Sequence, residues 1–260
     1  MSTTVKTLLA LLNQLYPPEL ASEWDSIGLI AGKKSQKVSS ILLCVDITPD
    51  IVNEALTNRC DAVVSHHPLV LGEDVLEPAY KAHLLELAEK HQLAFLNCHT
   101  NADAMMPGVS DALAALLGVK QLCVIEEIPG SSYGIGRIGN LQDAISFPDF
   151  VNHVRRVLPQ SAIRHTASPE HQIHRVAVCA GSGASLLSLV RQSDADVYIT
   201  SDLKHHPVLE HLAEGGCPLI DIDHGIAESI YLKGLQASLE TVLDVPILIS
   251  QLPFGTWVAQ

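Results

Sequence analysis

Short runs of branched apolar residues alternate with segments of helical period along the chain, and this alternation limits the fold more than any other feature. A strand that is apolar at every position must be covered on both faces, which is typical of parallel sheets flanked by helices. The pattern therefore predicts an α/β fold with largely parallel sheets covered by helices. The predicted strands are residues 41–45, 62–65, 93–98, 175–180, 197–200 and 218–222. The predicted helices are residues 50–58, 79–91, 110–117, 184–192, 204–214 and 226–239.

The two halves of the chain carry similar segments in the same order, which predicts two similar α/β units. The matching segments are 41–45 with 176–180, 61–68 with 196–207, and 93–99 with 219–224. Residues 121–174 have no counterpart and are expected to join or elaborate the halves. We predict a first unit over residues 1–125 and a second over 126–260, with a C-terminal segment that can return to the first.

Each half also carries the same polar pattern, a His-His-Pro triplet followed one strand later by a histidine with an acid four residues on. Each cluster lies just past the carboxyl end of a predicted strand, the edge at which open α/β sheets bind ligands. Imidazoles with carboxylates favour Zn, Mn, Fe, Co or Ni over the all-oxygen sites of Mg or Ca. The pattern therefore predicts a metal site rather than a set of helix caps. The copies are His66-His67-Pro68 with His99 and Asp103, and His205-His206-Pro207 with His224 and Glu228.

Composition excludes several classes of function. A formal charge of -13 argues against general binding to nucleic acid or to anionic membranes. The first residues open an amphipathic helix rather than a secretory leader, and no apolar stretch is long enough to span a membrane. Six cysteines without a C-x-x-C pair, most of them inside apolar runs, predict reduced thiols and a cytoplasmic location.

Other motifs carry weaker signals. Residues 134–139 fit the G-x-G-x-x-G pattern, but no clear strand precedes them and no helix follows, so dinucleotide binding is not predicted. Residues 181–183, Gly-Ser-Gly, form either an anion-binding turn or a plain tight turn. Cys98 is expected to be a core thiol rather than a ligand. Solvated or hydrogen-bonded side chains are expected for His83, His91, His153, His165, His171 and His174.

Together these segments resemble those of the GTP cyclohydrolase I type 2 homologues, also called Ngg-interacting-factor-like dinuclear metal proteins. The resemblance spans most of the chain, and only the combination of segments is specific. It includes residues 23–29, 65–69, 99–103, 134–139, 181–183 and 200–204, and the pair His224 and Glu228.

The resemblance implies two divalent transition-metal ions in a cleft between two similar α/β units, and assembly into a ring-shaped homohexamer. The two halves then form one dinuclear centre with different residues from each copy, and His205 and His206 are left to face the substrate. The ligands that the resemblance implies are His66, His67, Asp103, His224 and Glu228.

Two positions depart from the family pattern. The chain has Gly225 after His224, where the family usually has an aromatic residue, and Ser201 before Asp202, where it usually has glycine. Neither change removes a ligand. Gly225 lacks an aromatic ring that could stack on a substrate, so the substrate class is expected to differ.

Two hypotheses follow from the resemblance. The first is a dinuclear, metal-dependent hydrolase that uses a metal-activated water on a small nucleotide-like or cyclic amide substrate. His206 is then the candidate proton shuttle, or alternatively a hydrogen-bond partner behind the ligands, and Asp202 is expected to orient it. The second is a non-catalytic metal-binding protein or a regulatory interaction partner. The sequence itself identifies no guanine pocket.

Overall fold

The computed structural model describes residues 3–69, 79–166, 170 and 172–257, and it divides into two compact units. The first comprises Met1–Ala102 and Leu232–Phe254, and the second comprises Asp103–Tyr231 and Gly255–Gln260. The division thus falls after residue 102, earlier than the boundary predicted after residue 125. Each unit has its own sheet with helices, so the predicted α/β class is confirmed.

Most of the predicted helices and strands are present among the described residues, and none of the described helices is long and apolar enough to cross a membrane. The helices are α1 Val5–Leu15, α2 Pro49–Thr57, α3 Tyr80–His91, α4 Thr100–Ala104, α5 Val109–Leu116, α6 Phe147–Val157, α7 Leu187–Gln192, α8 His205–Ala213, α9 His224–Ser229 and α10 Leu232–Glu240. The strands are β1 Gly28–Ala31, β2 Ile41–Cys44, β3 Ala62–Ser65, β4 Ala94–Asn97, β5 Lys120–Glu127, β6 Gly134–Ile145, β7 Arg164–His165, β8 Ile173–Ser182, β9 Val197–Ser201, β10 Leu219–Asp221 and β11 Ile247–Ile249.

The sheet of the first unit has the strand order β1-β4-β3-β2-β11, and only the β1–β4 pair is antiparallel. Every residue of β2, β3 and β4 is buried, as their continuous apolar character predicts. Leu42, Val63 and Phe95 pack with residues of α2 and α3 in one core cluster, where each buried side chain contributes about 2 kcal/mol. These three strands hold the loops at their carboxyl ends in fixed positions.

The sheet of the second unit has the order β5-β6-β8-β9-β10-β7, and only the pairs β8–β9 and β9–β10 are parallel. The expectation of a largely parallel sheet therefore holds for the first unit, whereas this sheet is mixed. The reason lies in residues 121–174, which supply most of β5, β6 and β7. Successive strands joined by a short turn, such as β5 and β6, must pair antiparallel. The G-x-G-x-x-G segment forms part of β6 and, as expected, opens no helix.

A buried ion pair explains why residues 103–125 belong to the second unit. Arg137 on β6 is fully buried, and its Nε donates to Asp111 Oδ2 of α5 at 2.9 Å. The Nη1 group also donates to the carbonyl oxygens of Gly134 and Gly136 at 2.8 and 2.9 Å. Losing one partner of a buried pair costs about 3–5 kcal/mol, so this contact ties α5 to the second sheet.

Candidate metal centre

Three histidines converge at the carboxyl ends of neighbouring parallel strands in the first unit. His66 and His67 directly follow β3, and His99 follows β4. One ring nitrogen of each lies within 4.8 Å of those of the other two. The ring centroids are 5.0, 5.3 and 5.4 Å apart, and His66 is fully buried. This group, called the first ligand group below, could hold a metal ion.

Each imidazole of the first ligand group is fixed by a hydrogen bond from its Nδ1. Because the partner in each case is a carbonyl or carboxylate oxygen, Nδ1–H donates and Nε2 carries the lone pair that a metal requires. The three bonds join His66 to the carbonyl oxygen of Cys98 at 2.9 Å, His67 to Asp46 Oδ1 at 2.8 Å, and His99 to Asp25 Oδ1 at 2.8 Å.

Asp25 is a positioning residue that was not predicted from the sequence. Its side chain is completely buried, and it also accepts hydrogen bonds from the backbone N–H of Ser26 and from the N–H and hydroxyl of Thr100. Burial raises the pKa of Asp25, but the hydrogen bonds from His99 and Thr100 outweigh it and lower the pKa to about 2. Asp25 is therefore a fixed anion behind His99.

The second unit carries its own pair of ligand atoms, called the second ligand group below. His224 Nε2 and Glu228 Oε1 are 2.9 Å apart, and His224 Nδ1 donates to Asp202 Oδ2 at 2.6 Å. Asp223 caps α9 by accepting from Ile226 N, which starts the helix at His224. Two atoms bound to one ion at about 2.1 Å and at right angles are about 3.0 Å apart, so this spacing suits a shared metal.

The backbone at Gly181 packs closely against the two atoms of the second ligand group. A Cβ at this position would lie 2.3 Å from Glu228 Oε1 and 3.3 Å from His224 Nε2, and the residue has φ +77°. Thr200 Oγ1 holds the segment by donating to the Gly181 carbonyl oxygen at 2.9 Å. Close packing thus explains the glycine of this turn, without an anion.

Two acids and two thiols complete the description of the predicted site. Asp103 lies half-buried on α4, and Glu228 is buried. Burial, aided by the charges of Asp103 and Glu228, raises the pKa of Cys179 to about 12, and burial alone raises that of Cys98 to about 12. Both cysteines are therefore neutral core thiols at pH 7, as expected for Cys98.

The two predicted catalytic residues, His206 and Asp202, have different interaction partners in the structure. His206 is exposed on the first turn of α8, and its ring stacks edge-on against His205 at 5.2 Å. Asp202, which was expected to orient His206, makes its hydrogen bond with His224 instead. Asp202 therefore positions a predicted ligand. The catalytic role of His206 stays a prediction, and His171 lies outside the described residues.

Comparisons with known proteins are consistent in fold and name. A family model described as Duf34/NIF3 (NGG1p interacting factor 3) matches residues 3–253. A Streptomyces coelicolor protein named GTP cyclohydrolase 1 type 2 homolog is 35% identical over 240 residues, covering 90% of this chain and 84% of that protein. A Streptococcus pneumoniae protein of the same name is 30% identical and covers 86% of this chain and 85% of its own length.

Solved structures extend this likeness to three dimensions. A Staphylococcus aureus hypothetical protein is 25% identical with a TM-score of 0.89, covering 97% of each chain. A Bacillus cereus protein related to NIF3 has a TM-score of 0.90 at 22% identity, covering 100% of this chain and 99% of that one. The second likeness shows the shared fold alone.

Proposed function

Since the chain belongs to the Duf34/NIF3 family, we propose that it is a metal-dependent hydrolase with two divalent transition-metal ions. The observation that carries this proposal is the set of fixed imidazoles. Every histidine of the two ligand groups donates Nδ1–H to a carbonyl or carboxylate oxygen, so Nε2 of each ring is the potential ligand atom. The proposed ligands are His66, His67, Asp103, His224 and Glu228, and the ions are Zn, Fe, Mn, Co or Ni.

The donor set fits such metals. Neutral imidazole nitrogens and carboxylate oxygens together suit divalent transition-metal ions. The buried thiols of Cys98 and Cys179 stay protonated at neutral pH and are not proposed as ligands. The site would then supply metal-assisted hydrolysis, in which a water of lowered pKa would provide hydroxide at neutral pH. The chain's own part is to hold the ligands: Asp46 orients His67, Asp202 orients His224, and Gly181 leaves room for Glu228.

The proposed substrate is a small nucleotide-like or cyclic amide compound. The names of the curated relatives contain GTP cyclohydrolase, which makes guanine nucleotides the first compounds to test. In the second unit, a cavity of about 660 Å³ is lined by His224, Asp202 and Trp257 and has room for such a ligand. His206 is the proposed proton shuttle.

The ligand assignment is tested by metal analysis of purified variants. We expect His67→Ala and Glu228→Ala to lose bound metal and turnover, whereas His91→Ala, which changes an exposed histidine on α3, keeps both. Metal content is measured by elemental analysis, and turnover by a screen of nucleotides, phosphoesters and cyclic amides. Full metal stoichiometry in Glu228→Ala would show that the assignment is wrong.

The alternative function is metal binding or regulatory interaction without catalysis. The family description, which names an interacting factor, supports it. A metal-loaded wild-type protein that turns over no compound of the screen favours this alternative, whereas turnover that His67→Ala abolishes rejects it.

We also propose a cytoplasmic, ring-shaped homohexamer. Light scattering of the purified protein tests the hexamer directly, since a monomeric mass contradicts it.

A further inference from the structure

Two cavities of the second unit share a wall. The larger one, of about 660 Å³, contains His224 and Asp202 among its lining residues. The smaller one, of about 250 Å³, lies at the start of α8. Arg164, Leu203 and Asp221 line both. A ligand that extends from one cavity to the other therefore passes this wall.

The shared wall is built around an ion pair between neighbouring strands. Arg164 on β7 lies opposite Asp221 on β10 in the antiparallel pairing. Its Nε donates to Asp221 Oδ2 at 3.0 Å, and its Nη2 donates to the Leu203 carbonyl oxygen at 2.8 Å. The arginine side chain stays 71% exposed, whereas that of Asp221 is only 11% exposed. The guanidinium thus cancels the acid and remains within reach of a ligand.

The two cavities differ in charge. The larger one is lined by three acids, Asp202, Asp221 and Asp223, against the single cation Arg164. The smaller one has Arg164 and Lys204 against Asp221 alone, a surplus of one positive charge in a chain with a formal charge of -13. A basic cavity on such an acidic protein favours an anionic ligand.

The helix at the smaller cavity adds hydrogen-bond donors. Helix α8 begins at His205, its N-cap is Lys204, no side chain caps it, and its first turn contains no acid. The first backbone N–H groups of a helix carry partial positive charge and bind phosphate or carboxylate groups. Lys204 and His205 both line the cavity. Side-chain cations and the helix start therefore point to the same kind of ligand.

We propose that the smaller cavity, formed by Arg164, Lys204 and His205, is a phosphate subsite. The substrate is then a phosphorylated small molecule whose phosphate binds there while its reacting part occupies the larger cavity beside His224. This substrate assignment rests on the proposed hydrolase function, but phosphate binding by the cavity does not. The phosphate subsite also gives a role to His205, which is neither a proposed metal ligand nor the proposed proton shuttle.

The test measures the binding of inorganic phosphate, guanosine monophosphate and guanosine by calorimetry, with the metal-stripped and the metal-loaded 260-residue chain. We expect both phosphate-bearing probes to bind in either state, and guanosine to bind at least about tenfold more weakly than its monophosphate. Lys204→Ala should weaken phosphate binding about tenfold and Lys204→Glu more, because each removes a charge-assisted contact. Lys120→Ala, which changes an exposed lysine on β5, should leave it unchanged. Metal content should be the same in all variants.

Several results would overturn the phosphate subsite. Phosphate that binds equally well to Lys204→Glu and wild type is not held by this cavity. Phosphate that binds only to the metal-loaded protein is held by the metals. If guanosine binds as tightly as guanosine monophosphate, the phosphate group does not contribute to binding. If phosphate binds as expected but the loaded enzyme turns over none of the phosphorylated compounds, the subsite stands and the hydrolase proposal fails.

Discussion

The two His-His-Pro copies have the same letters and different surroundings. His66 and His67 directly follow the last residue of β3, where a buried parallel strand fixes them and where His99 converges with them. His205 and His206 come four and five residues after Ser201, the end of β9, and form the exposed first turn of α8. The extra residues let the chain leave the strand, so that a helix starts at the triplet itself. A motif therefore takes its role from the element that presents it.

The largest contrast is expected when the first histidine of each copy is removed. His66→Ala deletes a buried imidazole of the first ligand group, and we expect metal affinity to fall by more than about 100-fold. His205→Ala changes an exposed residue, and we expect the metal affinity to stay within about twofold. Calorimetric titration with Zn²⁺ measures both. Equal losses in the two variants would contradict the division of roles between the copies.

The next effect is expected at Gly181, which lies against the second ligand group. Gly181→Ala places a methyl group 2.3 Å from Glu228 Oε1, so the carboxylate must move and metal affinity should fall at least about tenfold. Gly118→Ala is the matched control, since Gly118 has φ +78° with no atom within 4 Å of the added Cβ. It should lower the free energy of unfolding by about 1 kcal/mol and leave metal binding intact. If both variants bind metal like the wild type, Gly181 does not shape the second ligand group.

Replacing the acids that accept hydrogen bonds from His99 and His67 should weaken metal binding to different extents, because the two acids differ in burial. Asp25→Asn removes a buried anion, and Asp46→Asn removes one whose side chain is 53% exposed. We expect His99, as a member of the first ligand group, to bind metal in addition to the five proposed ligands. Both changes should therefore weaken metal binding about 10–100-fold, with the larger loss for Asp25→Asn. A larger loss for Asp46→Asn would contradict the importance of burial here.

The lowered pKa of Asp25 also implies that the stability of the metal-free protein depends on pH. Its pKa falls from 3.8 in the unfolded chain to about 2 in the fold, so its stabilisation is complete above about pH 4 and is lost as the pH falls through 2. The difference corresponds to about 2 kcal/mol. Urea unfolding of wild type and Asp25→Asn measures it. The two curves of stability against pH should converge toward pH 2, and parallel curves would contradict the assignment.

The smallest effect is expected at His206. His206→Gln changes an exposed side chain, so the free energy of unfolding should change by less than about 0.5 kcal/mol and metal content should not change. If His206 is the proton shuttle, kcat falls about 100-fold and its pH profile changes, while KM is retained. An unchanged pH profile would remove His206 from the proposed mechanism.

Six strands of mainly apolar character were predicted, whereas the short apolar strands β1 and β11 and the strands of mixed character were not. The predicted ranges overlap β2, β3, β4, β8, β9 and β10, because a run of Val, Ile and Leu is stable only where a sheet is covered on both faces. The pattern of β5 mixes exposed and half-buried residues, and β7 has only two residues, so neither has a clear period. The helix predicted over 226–239 is interrupted, with α9 and α10 in its place.

The sequence by itself determined the α/β class, the positions of most buried strands along the chain, and the supply of histidines and acids after them, because these depend on neighbouring residues and on burial. Only the tertiary structure decided which acid holds which histidine. Asp25 and His99 are 74 residues apart in the chain, Asp46 and His67 are 21 apart, and Asp202 and His224 are 22 apart. Such pairs form only when strands that are distant in sequence become neighbours in a sheet, and no local pattern specifies them.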